Sequence, residues 1–283
     1  LMPIDHVKAW LINANAQKLI DNPKFEKVYE KYKDEDFGEF SKMKLKYKNL
    51  NIIIFKNNRV MLKGSLHYFY NNGDHNHNDF THTNLLETLK NISLLVEVAL
   101  NNIIILNIEF GVNTLPYLNP NSIINNMLLH RKEEFLKPYN FNFRVSKHQR
   151  FWLKVYNKGE HFKRPNNILR IELKYKKMRN LNKLGLHTLE DLTNTALFND
   201  LLELLSTKWK ECIIYDYSIK TNDLKPLQKT KSFQYQNINY WLNLSNQERA
   251  RQKKALNGLS INYGSNIKEQ VNNLIVEKWN SLF

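Results

Sequence analysis

The sequence predicts an α+β protein: an antiparallel sheet with helices on one face and the active site on the other, plus a C-terminal helical part. Two observations lead to this prediction. Several segments alternate apolar and polar residues with the period of a strand, and short polar turns separate them. Other segments repeat their apolar residues every three or four positions, which is typical of amphipathic helices.

The first half of the chain predicts strands and helices in alternation. In chain order we expect a strand at Ile4–Leu11, a helix within residues 13–34, a hairpin formed by residues 45–55 and 60–70, a helix starting at Thr81, and a strand at residues 102–113. The hairpin is expected because β-branched and aromatic residues flank a polar Lys-Asn-Asn-Arg turn. The helix after Thr81 is expected from its wide apolar face.

The second half predicts a helix within residues 122–136, two strands within residues 151–177, and helices from residues 188–191 onward. Beyond about residue 221 the sequence becomes polar, which predicts a domain boundary. We therefore expect a first domain at residues 1–220 and a helical region at residues 221–283.

The C-terminal region is predicted to contain two helices. Ser245 and Glu248 fit a capping box at the start of the first, Asn257-Gly258 is expected to end it, and the second covers residues 265–279. Basic residues on the first helix leave two alternatives open: a small DNA-binding module, or helices that simply pack on the main domain. These residues are Arg249, Arg251, Lys253 and Lys254.

The charge of the chain predicts a polyanionic partner. Among 283 residues there are 42 Lys and Arg against 27 Asp and Glu, a formal net charge of +15. Residues 144–183 alone hold thirteen basic residues against two acids, Glu160 and Glu172. Nucleic acid fits this field best, since no segment approaches the roughly 20 apolar residues needed to cross a membrane.

A single cysteine, Cys212, excludes an intramolecular disulfide and a cysteine-rich zinc site. One unpaired thiol fits a reducing compartment. We therefore expect a cytoplasmic protein.

The two strands within residues 151–177 carry the first group of candidate site residues. Alternation on the first strand directs Trp152, Lys154, Tyr156 and Lys158 to one face. A tyrosine between two lysines can act as a nucleophile toward phosphorus, because the cations stabilise a phenolate. The plainer alternative is an amphipathic aromatic residue. Lys158 is also expected to neutralise charge on the transferred phosphoryl group.

Two glutamates on predicted core strands form the second group. Glu109 and Glu172 lie on polar strand faces, with Arg170 and Lys174 beside Glu172 and Asn113 two positions beyond Glu109. Carboxylate oxygens suit Mg²⁺ or Mn²⁺, so a metal site and an ordinary exposed strand face are the two alternatives.

Histidines provide a third, weaker group. His67 is predicted on a strand, where it either completes the metal shell or has a structural role. His75 and His77 are separated by Asn76 in a loop rich in Asn and Gly, so we interpret them as loop residues.

With these residues identified, the sequence resembles rolling-circle replication initiators of the phage and plasmid II/X type, which are related to filamentous-phage replication proteins. The segments that carry the resemblance are, in order, GSLHYFYNNGDHNHNDF, NIEFGVN, LKVYNKG, ILRIELKYKKMRNL and GLHTLEDL. The resemblance implies that Tyr156 is the DNA nucleophile and that Glu109 and Glu172 hold the divalent ion. Relatives often carry Asp at the first acidic position and an acid in place of Asn113.

Together these expectations define one reaction. We expect Tyr156 to attack single-stranded origin DNA with the help of Mg²⁺ or Mn²⁺, leaving a 5′-phosphotyrosyl link and a 3′-hydroxyl for a polymerase, and later to religate the strand. The backbone contacts are expected from Lys154, Lys158, Arg170, Lys174 and Lys176, with Trp152 stacking on an unpaired base. As in that family, a host helicase and polymerase in a bacterial cytoplasm would be partners. A non-catalytic nucleic-acid-binding protein and a related transposase or relaxase remain the alternatives.

Overall fold

The fold is described from a computed structural model, which covers residues 4–28, 41–76, 78–140, 142–163 and 167–283. The described residues form two compact units. Unit 1 takes its residues from 1–111, 173–202 and 281–283, and unit 2 consists of 112–172 and 203–280. The predicted division at residue 221 stays a prediction.

Twelve named strands occur in the described part of the chain. They are β1 (Ile4–Leu11), β2 (Glu26–Val28), β3 (Ser41–Tyr47), β4 (Leu50–Phe55), β5 (Val60–Ser65), β6 (Ile103–Thr114), β7 (Met127–His130), β8 (Glu133–Glu134), β9 (Phe143–Lys147), β10 (Phe151–Asn157), β11 (Leu169–Tyr175) and β12 (Cys212–Ile214).

Eleven α-helices are described with them. They are α1 (Ala16–Asp21), α2 (Leu66–Tyr70), α3 (His82–Val96), α4 (Pro120–Asn125), α5 (Lys158–His161), α6 (Arg179–Asn182), α7 (Thr195–Glu211), α8 (Pro226–Tyr235), α9 (Ile238–Leu242), α10 (Asn246–Tyr263) and α11 (Ile267–Asn280). None of the described helices is long and apolar enough to cross a membrane.

In unit 1 the sheet has the strand order β2-β3-β4-β5-β1-β6. Neighbouring strands pair antiparallel, and Lys8 of β1 lies opposite Lys63 of β5 and Asn107 of β6. Buried residues fill the core: β4 and β5 contribute apolar runs, and β1 contributes Ile4, Val7, Ala9 and Leu11.

In unit 2 the strand order is β11-β10-β9, and a separate small sheet has the order β12-β7-β8. Strands β10 and β9 pair antiparallel, with Tyr156 opposite Phe143. The α+β class predicted from the sequence, with an antiparallel sheet and a C-terminal helical part, is therefore confirmed.

Several predicted elements are confirmed at their positions. Strand β1 has the predicted bounds, and helix α3 begins after Thr81, whose hydroxyl accepts from the backbone NH of Asn84. The strands predicted within residues 102–113 and 151–177 correspond to β6, β10 and β11.

The second strand of the predicted hairpin is too long, and this changes the position of His67. Strand β5 ends at Ser65, whose side chain accepts from the backbone NH of Tyr68 and caps α2. His67 therefore lies on a short helix, and its prediction on a strand is wrong. Because Ser65 caps a helix, the aromatic residues that follow it are helical despite their β propensity.

The prediction of a helix within residues 13–34 is also mostly wrong for the described residues of that range. Helix α1 covers one and a half turns and is followed by an extended Asn22 before Pro23. The residue before a proline is biased away from helical angles, so the helix stops there. Val28, which we expected on the helix, belongs to β2 instead; residues 29–34 lie outside the described residues.

The region 122–136 forms a short helix and two strands rather than one helix. Helix α4 ends at Asn125, and β7 pairs with β12, which is more than 80 positions away in the chain. The apolar run Met-Leu-Leu is compatible with either state, and only the distant partner strand decides between them.

At the C-terminus the capping box at Ser245 and Glu248 is confirmed, but the predicted helix end is wrong. Helix α10 continues through Asn257-Gly258 to Tyr263. Burial of Leu256 and Leu259 on either side of this dipeptide outweighs the roughly 1 kcal/mol that a glycine costs inside a helix.

A buried hydrogen-bonded cluster in unit 2 joins two histidines to a carboxylate. His130 Nδ1 lies 2.7 Å from His148 Nε2, which is 3.2 Å from the Ser146 hydroxyl. On its other side His130 Nε2 lies 3.2 Å from a Glu211 oxygen, and Arg131 binds the same carboxylate through two nitrogens. Burial, followed by the neighbouring His130, lowers the pKa of His148 to about 4.

This cluster predicts a loss of stability in weak acid. In the unfolded chain a histidine takes up a proton near pH 6.5, whereas folded His148 resists protonation down to about pH 4. Stability should therefore fall as the pH decreases from about 6.5 to about 4, and His148→Gln should remove about 1–2 kcal/mol of that fall, after allowance for partial solvent exposure. Urea unfolding of both proteins at a series of pH values measures this difference in stability.

The matched control is His187→Gln, because His187 is solvent-exposed. This variant should lose stability with falling pH as the unsubstituted protein does. An unchanged slope for His148→Gln would show that the cluster does not set the acid sensitivity.

Candidate active site

The face of β10 that carries Tyr156 is partly open to solvent, and the opposite face is buried. Trp152, Lys154 and Tyr156 are half-buried, whereas Phe151, Leu153 and Val155 are buried in the core. This follows from the strict alternation of apolar and polar residues in the sequence. The face predicted from the sequence for Tyr156 therefore exists in unit 2.

An aromatic row holds the ring of Tyr156. Phe143, directly across on β9, stacks on it with ring centroids 5.1 Å apart and planes at 23°. Tyr139 packs edge-on against Phe143 at 4.9 Å, and its side chain is exposed. Such ring contacts restrict the orientation of the phenol, and the exposed Tyr139 ring at the end of the row is accessible to a planar ligand.

Glu172 is the centre of a largely buried ion triad that includes Lys154, two positions before Tyr156. Lys154 Nζ donates to Glu172 Oε1 at 2.9 Å, and Arg170 Nε donates to Oε2 at 2.8 Å. Arg170 also donates to the Asn113 side-chain oxygen at 3.2 Å. Burial alone would raise the pKa of the Glu172 carboxyl, but Lys154 and Arg170 outweigh burial and hold that pKa far below its usual range.

The triad places Glu172 and Tyr156 on the same face. Lys154 and Tyr156 are two positions apart on β10, so their side chains point to one side, and Lys154 reaches Glu172 on that side. The roles predicted for these two residues in catalysis stay predictions. The inclusion of Glu109, which belongs to unit 1, stays a prediction.

Two cations expected to contact DNA are buried instead. Lys158 begins α5 rather than continuing the strand, and its side chain is buried with its ammonium 5.6 Å from the centre of the Phe162 ring. Arg170 is also fully buried in the triad. Neither side chain lies on the surface, so the role predicted for each as a direct contact with phosphate is not supported.

The other predicted DNA contacts remain on the surface to differing degrees. Lys147 Nζ lies 4.8 Å from the centre of the half-buried Trp152 ring. In unit 1, Lys176 is exposed, and Lys174 is partly exposed and paired with Glu109 at 2.7 Å. Their roles in DNA binding stay predictions.

In unit 1, Glu109 has a neighbour that the sequence did not identify. His6 on β1 is half-buried; desolvation lowers its pKa, while the charge of Glu109 acts to raise it. A neutral imidazole near a carboxylate can serve as a metal ligand or a proton acceptor. The only sequence signal for His6 was that it shares one face of β1 with Lys8. Polar residues are common on half-buried strands, so this signal did not single out His6.

His67 of unit 1 has the structural features of a core residue. Its Nε2 lies 2.8 Å from the Asn78 side-chain oxygen, and its ring stacks on Phe80 with centroids 4.8 Å apart. His75 lies in the loop as expected, and His77 lies outside the described residues. Metal ligation by His67 stays a prediction.

His161 is a second residue that sequence reasoning missed. It ends α5, and its ring lies edge-on to Tyr156 with centroids 6.3 Å apart. Burial, followed by the charge of Lys158, lowers the pKa of His161 below its usual value. A neutral imidazole next to the phenol can accept its proton, and the Tyr-x4-His spacing in the sequence was the only signal.

The described residues do not form a ready divalent-metal centre. Among them no group of three or more His, Cys, Asp or Glu side chains is arranged to hold an ion. Both oxygens of Glu172 are already paired with cations, so another positive charge would first have to displace Lys154 or Arg170. Glu172 therefore fits a positioning role better than metal ligation.

The ion triad predicts a large loss of stability when Glu172 loses its charge. Glu172→Gln leaves two cations without their counter-charge in a buried setting and should lower the free energy of unfolding by about 3–5 kcal/mol. Urea unfolding in EDTA measures this in the absence of any metal ion. Glu134→Gln, on an exposed residue of the same unit, is the control and should change stability by less than about 0.5 kcal/mol. Equal stability of both variants would contradict the triad.

Comparisons with known proteins add one structural likeness. No protein-family model matches the sequence, and no curated protein matches it. A solved rolling circle replication initiator protein from Geobacillus stearothermophilus is similar in structure, with a TM-score of 0.48 and 10% sequence identity. The similarity covers 71% of this chain and 83% of that protein's chain. Similarity at this level says nothing about activity, so any function must be inferred from the residues of this chain.

Proposed function

We propose that this chain is a replication initiator that nicks single-stranded origin DNA through Tyr156 and later religates it. The observation that carries the proposal is the half-exposed face of unit 2, where Tyr156 is oriented by Phe143 and shares its side of the strand with Lys154. A fixed phenol beside an ammonium group is suited to attack on a phosphodiester. The net charge of +15 supports a polyanionic substrate.

The proposed reaction is an exchange of phosphate esters. The Tyr156 oxygen bonds to phosphorus, the bond from phosphorus to the 3′-oxygen breaks, and the DNA is left with a 3′-hydroxyl and a 5′-phosphotyrosyl end. The phenolic proton passes to a base, and the departing 3′-oxygen takes up a proton. Because the ester energy is retained, attack by a 3′-hydroxyl on the phosphotyrosine reverses the reaction and reseals the strand.

Three side chains of unit 2 assist in this proposal. Lys154 is the half-buried cation that offsets charge on the phosphoryl oxygens, and Glu172 positions it through their 2.9 Å contact. His161 is the proton acceptor for Tyr156, because its imidazole lies edge-on to the phenol with ring centroids 6.3 Å apart.

The metal requirement is part of the proposal but enters no step above. Mg²⁺ or Mn²⁺ would polarise the scissile phosphate when bound. Glu109, the carboxylate of unit 1 predicted as a ligand, offers the oxygen type of donor that Mg²⁺ prefers.

The proposed partners follow from the chemistry. The 3′-hydroxyl is a primer end for a host polymerase, and a helicase would supply the single-stranded template in a bacterial cytoplasm. The absence of a three-ligand cluster among the described residues favours one competing proposal, a nucleic-acid-binding protein without catalysis.

Covalent capture of DNA tests the proposal. The protein is incubated with Mn²⁺ and a pool of end-labelled single-stranded 40-mers of random sequence, and adducts that survive SDS are measured. Tyr156→Phe should reduce the adduct at least about 10³-fold, because the phenyl ring keeps the packing but lacks the nucleophile. EDTA in place of Mn²⁺ should likewise abolish the adduct.

Tyr117→Phe is the control, because Tyr117 is a fully exposed tyrosine of the same unit. It should form as much adduct as the unsubstituted protein. Two results would refute the proposal: an undiminished adduct with Tyr156→Phe, or no adduct with the unsubstituted protein. The second result, combined with retained DNA binding, would establish the non-catalytic alternative.

A further inference from the structure

Helices α8, α9 and α10 of unit 2 form a rigid helical module. Tyr235, Trp241, Leu256 and Leu259 are buried in one hydrophobic cluster at its centre. Trp241 Nε1 donates to the Tyr235 carbonyl at 2.8 Å, and the Arg249 guanidinium donates to the Trp241 carbonyl at 2.9 and 3.0 Å. Arg249 is therefore a structural residue of this module rather than a surface contact. Helix α8 is held to the module through Tyr235, whose side chain is buried and whose carbonyl accepts from Trp241.

Helix α8 has one face in this core and the other in solvent. On the inner face Tyr235 is buried, and Ser232 lies 2.9 Å from the Tyr215 hydroxyl. Lys229, Phe233 and Gln234 are exposed, Phe233 with 57% of its surface accessible. At 100° per residue these three positions, with Thr230 between them, lie within one half of the helix circumference. The outer face thus presents two polar donors beside an aromatic ring.

The composition of this outer face matches that of a DNA-reading helix. Lysine and glutamine donate to base edges in the major groove, while threonine and phenylalanine make apolar contact with thymine methyl groups. The sequence of α8 contains no Asp or Glu, which phosphate would repel. Phe233 leaves more than half of its surface in solvent on this otherwise polar helix face.

The charge around α8 favours the same partner. Residues 220–263 contain eight Lys and Arg against two acids, Asp223 and Glu248. Lys225, immediately before α8, and Arg251 and Lys254 on α10 are exposed. Such a set can neutralise the phosphates on either side of a groove while one helix enters it. A membrane surface would instead need a continuous apolar face, which α8 lacks.

We propose that α8 is a recognition helix that reads duplex DNA in the major groove, with Lys229, Thr230, Phe233 and Gln234 toward the bases. This inference rests on the proposed function in one respect, because the duplex would be the origin next to the nicking site. The major groove is about 12 Å wide and admits one α-helix. The module thus selects the sequence, and the face around Tyr156 cuts it.

Selection from a random library of 20-base-pair duplexes tests this inference. The full-length protein is used in EDTA, so that neither metal nor nicking contributes. We expect one motif to be enriched. Gln234→Ala should relax the preference at one base pair of that motif by about tenfold or more, while the other positions stay as they were. Thermal unfolding confirms that this surface variant is folded.

A charge-matched pair separates the role of α8 from that of overall charge. Lys229→Ala and Lys210→Ala each remove one exposed cation from unit 2, the first on α8 and the second at the end of α7. Lys229→Ala should weaken binding to the motif at 100 mM salt by about tenfold or more and relax the preference at one base pair. Lys210→Ala should leave the motif and its affinity unchanged.

Two outcomes would overturn the inference. One is the absence of any enriched duplex motif, and the other is a Gln234→Ala variant that selects the unaltered motif. Binding only to single-stranded DNA, or only to an acidic protein, would also assign α8 to another partner. Because these measurements need no cleavage, failure of the Tyr156 proposal leaves their outcome intact, and the converse also holds.

Discussion

The candidate site in unit 2 depends on one buried carboxylate held by two cations. Glu172 accepts from Lys154 and Arg170, and Arg170 continues to Asn113. Because both carboxylate oxygens are occupied, the triad holds the Lys154 ammonium in place on the side of β10 that also carries Tyr156. A buried ion pair rarely adds net stability compared with apolar residues, so its value here is in orientation.

The same ion triad changes the role that can be assigned to Glu172. From the sequence Glu172 has the appearance of a metal ligand, because it is a carboxylate on a core strand amid polar neighbours. In the structure it is a counter-ion, and the cation it positions is the group that can meet a phosphate. The chemistry proposed for this face therefore relies on Tyr156, Lys154 and His161, and any metal must be held largely by other groups.

Sequence reasoning succeeded where a local pattern had only one solution. The alternation in β1, β6, β10 and β11 fixed strands and faces, and the polar face of Tyr156 was correctly identified. It failed where distant residues decide. The run after Asn126 is a strand because β12 pairs with it, and Lys158 is buried because the chain turns into α5 directly after β10. His6 was missed because Glu109 comes from elsewhere in the chain, and His161 was missed because its approach to Tyr156 depends on the turn from β10 into α5.

By itself the sequence determined the α+β class, the strongly positive charge and the side of the strand on which Tyr156 lies, because period, composition and alternation are local properties. Only the tertiary structure decided which charges are buried together and which stay in solvent. Arg170 and Arg249 became internal hydrogen-bond donors, whereas Lys154 reaches the half-open face and Lys229 is exposed. Desolvation and pairing depend on neighbours that are remote in sequence, so no periodicity in the chain encodes them.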